Sequence, residues 1–305
     1  MGLTNFPNGI ASFGMPVLPT LGTTTGSVFF VHSGTGGSGN KGTSPSKPLA
    51  DIDTAIGKCT ANKGDIIYVM PGHDENPTTS ITADVAGISI IGLGVGSDRP
   101  TITFGALAAA LDITAASVRV MNLRFDLGTV AATVTNAINI TGDSAEVIGC
   151  ETVVHATSQF TNHLTATDAQ FVRILGCKFH SLHTASSTSG IVVDGCDDLE
   201  IGWCEVMGHF GEHALDNTTP ASCDEILRAN IHDNMFMNNS TTAGDLAVEL
   251  DGSASGWFTR NMLSGGLATT AANYDIGNLS SMESYIVDDA GVDVHGIVLG
   301  TAADA

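Results

Sequence analysis

The sequence predicts an all-β protein built as a single-stranded, right-handed parallel β-helix, and three observations predict it. First, Leu123, Cys150, Cys177 and Cys204 stand 27 residues apart at each step, and Asn234 and Asn261 follow after 30 and 27. Second, whole segments share that frame: "VRVMNLRF" (118–125), "AEVIGCET" (145–152), "VRILGCKF" (172–179) and "LEIGWCEV" (199–206) align, and "FTRNML" (258–263) fits the last copy. Third, apolar residues alternate with polar ones inside the frame, the period of a strand with one buried face. One column reads Val118, Ala145, Val172, Leu199; the next reads Val120, Val147, Ile174, Ile201; a later one reads Phe125, Thr152, Phe179, Val206. A repeat this short, without helical periodicity, buries its apolar face by coiling so that equivalent strands of successive turns pair in parallel. Right-handedness follows from the bias of β-to-β crossovers, roughly 98%, and each coil should rise about 4.8 Å, the spacing of neighbouring strands.

Residues 1–25 read as an extended arm. "MGLTNFPNGIASFGMPVLPTLG" is too broken by proline for a helix and too apolar for a solvated tail. Leu3, Phe6, Ile10, Phe13, Val17 and Leu18 need a surface, which is either the chain's own solenoid or a neighbouring protein. Residues 26–65 read as a cap, because the first coil of a solenoid otherwise offers unpaired strand edges. A strand, a Gly-rich loop and a helix over about 48–58 are predicted, with Leu49, Ile52, Ala55 and Ile56 on one helical face. Gly64 and Asp65 then turn the chain into a first coil strand at 66–70. The cap's "G..G..P...I..AI....GD.I.V..G" pattern resembles the N-terminal cap of pectate-lyase-like right-handed β-helix proteins, a resemblance that bears on fold and is nearly silent on activity. Residues 66–266 are assigned to the β-helix. From 267 to 305 the frame fails, and "SYIVDDAGVDVHGIVLG" (284–300) reads as two short strands that cap the far end or pair with a neighbouring subunit.

Composition narrows the function. The 305 residues are 43% hydrophobic, 6% aromatic and 14% charged, and no apolar run is long enough to span a membrane. The start lacks the basic residues of a signal peptide and the Ser or Thr of a myristoylation signal. Net charge is −21, yet the first 50 residues hold two lysines and no acid. An acidic body repels phosphate backbones, so a nucleic-acid partner is excluded; a protein partner should meet the acid-free N-terminus.

The charges and thiols obey the same 27-residue frame. Arg119, Glu146, Arg173 and Glu200 form one outward column, and Arg124, Glu151, Lys178 and Glu205 form another, with signs alternating at every coil. Such columns pair across strands and penalise a slipped register, so these eight charges read as scaffold in preference to catalysis. Cys150, Cys177 and Cys204 fall on an inward column and read as small buried hydrophobes, since a zinc site wants clustered ligand pairs. Between the two charge columns, Asn122, Gly149 and Gly176 suit the left-handed bend of a corner; Trp203 breaks that pattern.

An enzyme reading has its own candidates. Asp143, Asp197 and Asp224 share a column with Gln170, and Asp194 and Asp198 lie nearby. Carboxylates two coils apart could meet the 6.5 to 9.5 Å separation of an inverting glycosidase; the competing account is that aspartate closes a turn in each coil, and a Ca2+ site ranks below both. His155, His180, His183, His209 and His213 gather with Glu212 after the outer strand, as a metal cluster or as solvated and interfacial histidines. Arg228 is the one basic residue of the later coils that a lyase would use. The chain's two Trp and three Tyr are few for sugar platforms. No cofactor is implied.

The N-terminal third also resembles a family of tailed-phage virion proteins that open "MGLTNFPNG" and continue "SFG.PVLP", "AIGKCTANKGD", "VMPGH" and "AGISIIGLGVGSDRPT"; these stand here at 1–9, 12–19, 55–65, 69–73 and 86–101. The resemblance implies a structural protein similar to trimeric β-helix cement proteins that decorate capsids. The expected partners are two further copies of this chain and the major capsid protein, with the arm as the capsid-binding segment, and the expected place is the outer capsid surface of a virion assembled in the host cytoplasm. The alternative is a tailspike-type polysaccharide depolymerase using Asp194, Asp197 and Asp224, or a glycan-binding adhesin.

Overall fold

The computed structural model describes residues 24–128, 134–153, 159–182, 187–217, 225–240, 242, 244–265 and 274–286, together with short strands at Ala11–Ser12, Met15–Pro16 and Gly296–Ile297. The architecture is a parallel β-solenoid, and each coil contributes strands to three faces. Face 1 collects Ser89–Gly92, Arg119–Met121, Glu146–Ile148, Arg173–Leu175, Glu200–Gly202 and Ala229–His232, paired in parallel. Face 2 collects Thr101–Phe104, Arg124–Leu127, Glu151–Thr152, Lys178–Ser181, Glu205–Gly208, Met235–Asn238 and Met262–Ser264. Face 3 collects Leu111–Ile113, Val134–Ile140, Phe160–Thr167, Ser189–Asp194 and Leu215–Asp216. The 12-residue strand Val248–Thr259 joins faces 3 and 1.

One continuous apolar core fills the interior from Phe29 to Ile286. Its columns follow from alternation: Val120, Val147, Ile174 and Ile201 are in register and fully buried, as are Phe125, Phe179, Val206 and Phe236. Stacked phenylalanines contribute beyond area, with Phe104 and Phe125 lying nearly parallel at 6.2 Å.

The corner between faces 1 and 2 is one left-handed residue per coil. Asn122, Gly149, Gly176, Trp203, Asp233, Arg260 and Glu283 all have φ between 52° and 62°. Trp203 therefore keeps the conformation of the glycines it follows (φ 56°), and only its side chain departs.

The ends differ from expectation. The cap helix is five residues, Ile52–Ile56, not 48–58, because Leu49 bridges Val31 and Asp51 caps the helix by accepting from the Thr54 N–H. The strand Val28–Val31 pairs in parallel with Ile66–Val69, which in turn pairs with face 1. At the other end parallel pairing runs past 266: Tyr274–Met282 lies on Val248–Thr259, and Tyr285–Ile286 on Met262–Ser264, before Gly296–Ile297 turns back antiparallel. The strand survives while the 27-residue count fails, because the loops that connect the faces change length. Of the arm, Ala11–Ser12 pairs antiparallel with Met15–Pro16; Leu3, Phe6, Ile10, Phe13, Val17 and Leu18 lie outside the described residues.

Candidate functional site

Both outward charge columns form ion pairs between successive coils. Glu146 lies between Arg119, which donates to it, and Arg173 at 3.1 Å; Arg173 reaches Glu200 at 2.6 Å. Burial raises the Glu146 pKa, but the two guanidinium groups more than offset that and hold it low. In the second column Glu151 takes Arg124 at 2.7 Å and also Arg99 at 2.7 Å, a partner the column spacing did not reveal, and Lys178 takes Glu205 at 2.5 Å.

The inward column beside the corner carries more than apolar filling, which revises the reading of the cysteines. The thiols of Cys177 and Cys204 donate to the carbonyls of Val147 and Ile174 at 3.5 Å. On the next three coils, Asn234, Asn261 and Ser284 send Nδ2, Nδ2 and Oγ to the carbonyls of Ile201, Ile231 and Phe258. Each acceptor is the residue three places before the previous coil's column member. The same side chains accept the main-chain N–H of that member: Cys204 to Asn234, Asn234 to Asn261, and Asn261 to Ser284, at 2.9 to 3.1 Å. The N–H groups of Leu123 and Cys177 face the Cys150 and Cys204 sulfurs in the same way. A left-handed corner takes these groups out of the strand ladder, and buried main-chain groups need partners. Thiol, amide and hydroxyl all supply one donor and one acceptor. Cys59, Cys150, Cys177, Cys196 and Cys204 are free thiols, and Cys223 lies outside the described residues.

The aspartates hold turns. Asp143 accepts the Gln170 N–H and Asp197 accepts the Leu227 N–H, both at 3.0 Å from the next coil. Arg228, the possible lyase base, is clamped by Asp198 through Nε and one terminal nitrogen at 2.8 Å and by Asp197 at 3.3 Å, which raises its pKa further. A permanently charged guanidinium cannot accept a proton. Asp194 has a bonding partner of its own. Asp224 lies outside the described residues, and with it the meeting of Asp194, Asp197 and Asp224.

The histidines divide. His155 and His183 lie outside the described residues. His180 is 3.9 Å from Glu205. His213 is buried, contrary to the solvated reading: its Nδ1 accepts the Leu246 N–H at 3.0 Å and its Nε2 faces Glu249 at 2.7 Å. Among the described residues Glu212, His213 and Asp216 form the one metal-type group, with ligand atoms within 4.8 Å. With Nδ1 accepting, the ring proton sits on Nε2, so neither nitrogen offers a lone pair to a metal and the group does not fit one.

Sequence spacing missed a denser set of carboxylates on face 3. Asp216, Glu249 and Asp275 stand in register on three successive coils, separated by 33 and 26 residues because of intervening loops. Burial raises the Glu249 pKa; Asp216, Asp275 and Glu212 push the same way, and His213 opposes them. A carboxyl whose pKa is raised by burial among other carboxylates is an arrangement that acid–base chemistry uses. Asp216, however, has no exposed surface and receives the Ser189 hydroxyl at 2.9 Å, so it cannot touch a substrate.

No family model and no curated protein matches the sequence. Among solved structures the chain is similar to a rhamnogalacturonan lyase, with 9% identity over 85% of this chain and 87% of that one and a TM-score of 0.47. A pectin methylesterase from Aspergillus niger gives 16% identity over 92% and 91%, TM-score 0.46. The Dettilon tailspike protein gives 12% over 78% of this chain and 57% of that one, TM-score 0.43, so the chain spans little more than half of that protein. Likenesses this distant carry no activity, substrate or partner across to this chain.

Proposed function

We propose that the protein is a structural component of a phage virion, a homotrimeric decoration protein held on the outer capsid surface by its N-terminal arm. The observation that supports this most is the use the chain makes of its chemistry-bearing residues. Each charge column pairs its own charges from coil to coil, the aspartates close turns, Arg228 is clamped and the thiols bind main chain. Such a solenoid spends its polar groups on staying folded. The acid-free arm and the phage-like motifs of the N-terminal third point to attachment, and an acidic body of net charge −21 suits a surface away from packaged nucleic acid. Deleting residues 1–20 should abolish capsid binding while circular dichroism and the melting transition stay those of the full chain. Full binding without the arm would reject the role assigned to it.

The second reading, a polysaccharide hydrolase or lyase, rests on the face 3 carboxylates. If it holds, Glu249→Gln should remove a measurable release of reducing ends or unsaturated sugars from host polysaccharide; absence of any such release from the intact protein rejects it.

A further inference from the structure

The outward columns change character at one level of the solenoid. The column that begins Arg124, Glu151, Lys178 and Glu205 continues in register as Met235, Met262 and Tyr285. The column that ends its charges at Glu200 continues as Asn230, Trp257 and Ser280. Between them Trp203 occupies the corner that Gly149 and Gly176 hold in the two preceding coils. Trp203, Trp257, Met262, Met282 and Tyr285 are 59%, 56%, 44%, 53% and 54% exposed, and all lie at this corner or beside it. A bulky aromatic in the left-handed region costs about 1 kcal/mol or more relative to glycine. Inside the chain the half-exposed ring has an edge-on contact with His232 at 4.7 Å to set against that cost.

We propose that this corner of the last coils is the surface on which a second copy of the chain packs, side by side and parallel. Charge selects the occupant. The chain carries −21, so a basic partner would be drawn to its acidic faces, whereas an equally acidic copy can approach only where charges are already paired. At this corner Asp233 is bound by two Arg260 nitrogens and by His232 at 2.8 Å, and Glu200 is bound by Arg173 and His232; the exposed Glu283 lies within the field of Arg260. Geometry selects the orientation. Equivalent positions recur one coil apart at the same corner, so the apolar stripe runs along the solenoid axis. Copies related by rotation about a parallel axis then meet at equal heights, so that their stripes line the shared axis together. Area is sufficient. Five large side chains about half exposed, at roughly 200 Å2 each when whole, present on the order of 500 Å2, the apolar centre of a standard interface of about 800 Å2 per partner. This inference rests on the self-association in the proposed function and not on capsid attachment.

The test is sedimentation velocity and tryptophan emission of the full chain over a wide dilution series. Both tryptophans of the sequence lie in the stripe, so assembly should shift emission to the blue and dilution should return it to the red. Trp203→Gly restores the residue of the preceding coils and should fold at least as well; Met262→Lys places a charge at the centre. Each should weaken association about tenfold or more. A chain that is monomeric at every concentration overturns the inference, and so does an oligomer unmoved by both substitutions. Binding of a monomer to a glycan array that depends on Trp203 would also overturn it, assigning the corner to sugar. If self-association fails while the capsid-binding assay with and without residues 1–20 behaves as proposed, the attachment role stands and only this interface falls.

Discussion

Replacing Asn261 tests whether the inward corner column works by hydrogen bonding or by volume. Asn261 Oδ1 accepts both the Asn234 N–H and the Asn234 amide at 3.0 Å, and its Nδ2 donates to Ile231 O at 2.8 Å. The residue is 1% exposed, so no water replaces these partners. Asn261→Leu keeps approximately the shape and strips the chemistry, leaving the Asn234 N–H and the Ile231 carbonyl without the partner that Asn261 supplied, at about 1 to 3 kcal/mol each; the Asn234 amide keeps Ile201 O. Apolar transfer returns about 2 kcal/mol, so a gross cost of about 2 to 6 kcal/mol becomes a net loss of up to about 4 kcal/mol. Asn261→Cys installs the residue that the earlier coils use at the same place. A thiol supplies a weaker donor and acceptor, so the loss should be about half that of the leucine variant. Urea unfolding gives the free energies, and hydrogen exchange at the Asn234 amide should accelerate in the order wild type, cysteine, leucine. The reasoning is refuted if leucine costs no more than cysteine, because the column would then be indifferent to hydrogen bonding.

Three further outcomes follow from the same geometry. Arg173→Glu would stack three glutamates at one column; with Arg173 43% exposed, screening limits the loss to about 1 kcal/mol, and the deficit in thermal unfolding should shrink as salt is raised. His163 is fully buried between the hydroxyls of Thr152 and Ser187, and burial pulls its pKa down from 6.5 to about 3. The unfolded chain therefore binds a proton that the native chain refuses, so stability is full above about pH 6.5 and falls as pH drops toward 3. His163→Phe, placed among Phe160, Phe179 and Phe210, should flatten that pH dependence in denaturation curves; an unchanged slope would show that another group governs it. In contrast, Cys196→Ser should leave the labelling of the folded protein by thiol reagents unchanged, since burial raises the wild-type thiol to about 11 and keeps it unreactive until the chain unfolds.

Much of the fold was legible because a parallel solenoid writes its geometry as a constant interval. Val120 above Val147, Arg173 between two glutamates and Gly176 at a corner are all consequences of one count, and the structure places each pair in register. The count is blind to connections. Once a loop grows, as between Cys204 and Asn234 or between Asp216 and Glu249, equal height no longer means equal spacing. The face 3 carboxylates and the continuation of the charge column to Tyr285 were therefore unreadable, whereas Met235 and Met262 stand in the frame beside Asn234 and Asn261. The corner column was half readable: its position was evident, but its work was not, because cysteine, asparagine and serine look unrelated until their shared carbonyl and amide partners are seen.

The sequence by itself determined the repeat, the strand register and the inward or outward direction of each column, since period and alternation are properties of order along the chain. Only the tertiary structure decided which carbonyls a left-handed corner leaves unpaired, where His213 sends its proton, and which exposed side chains meet at one edge. Those depend on distances across coils, and loops of unequal length set them.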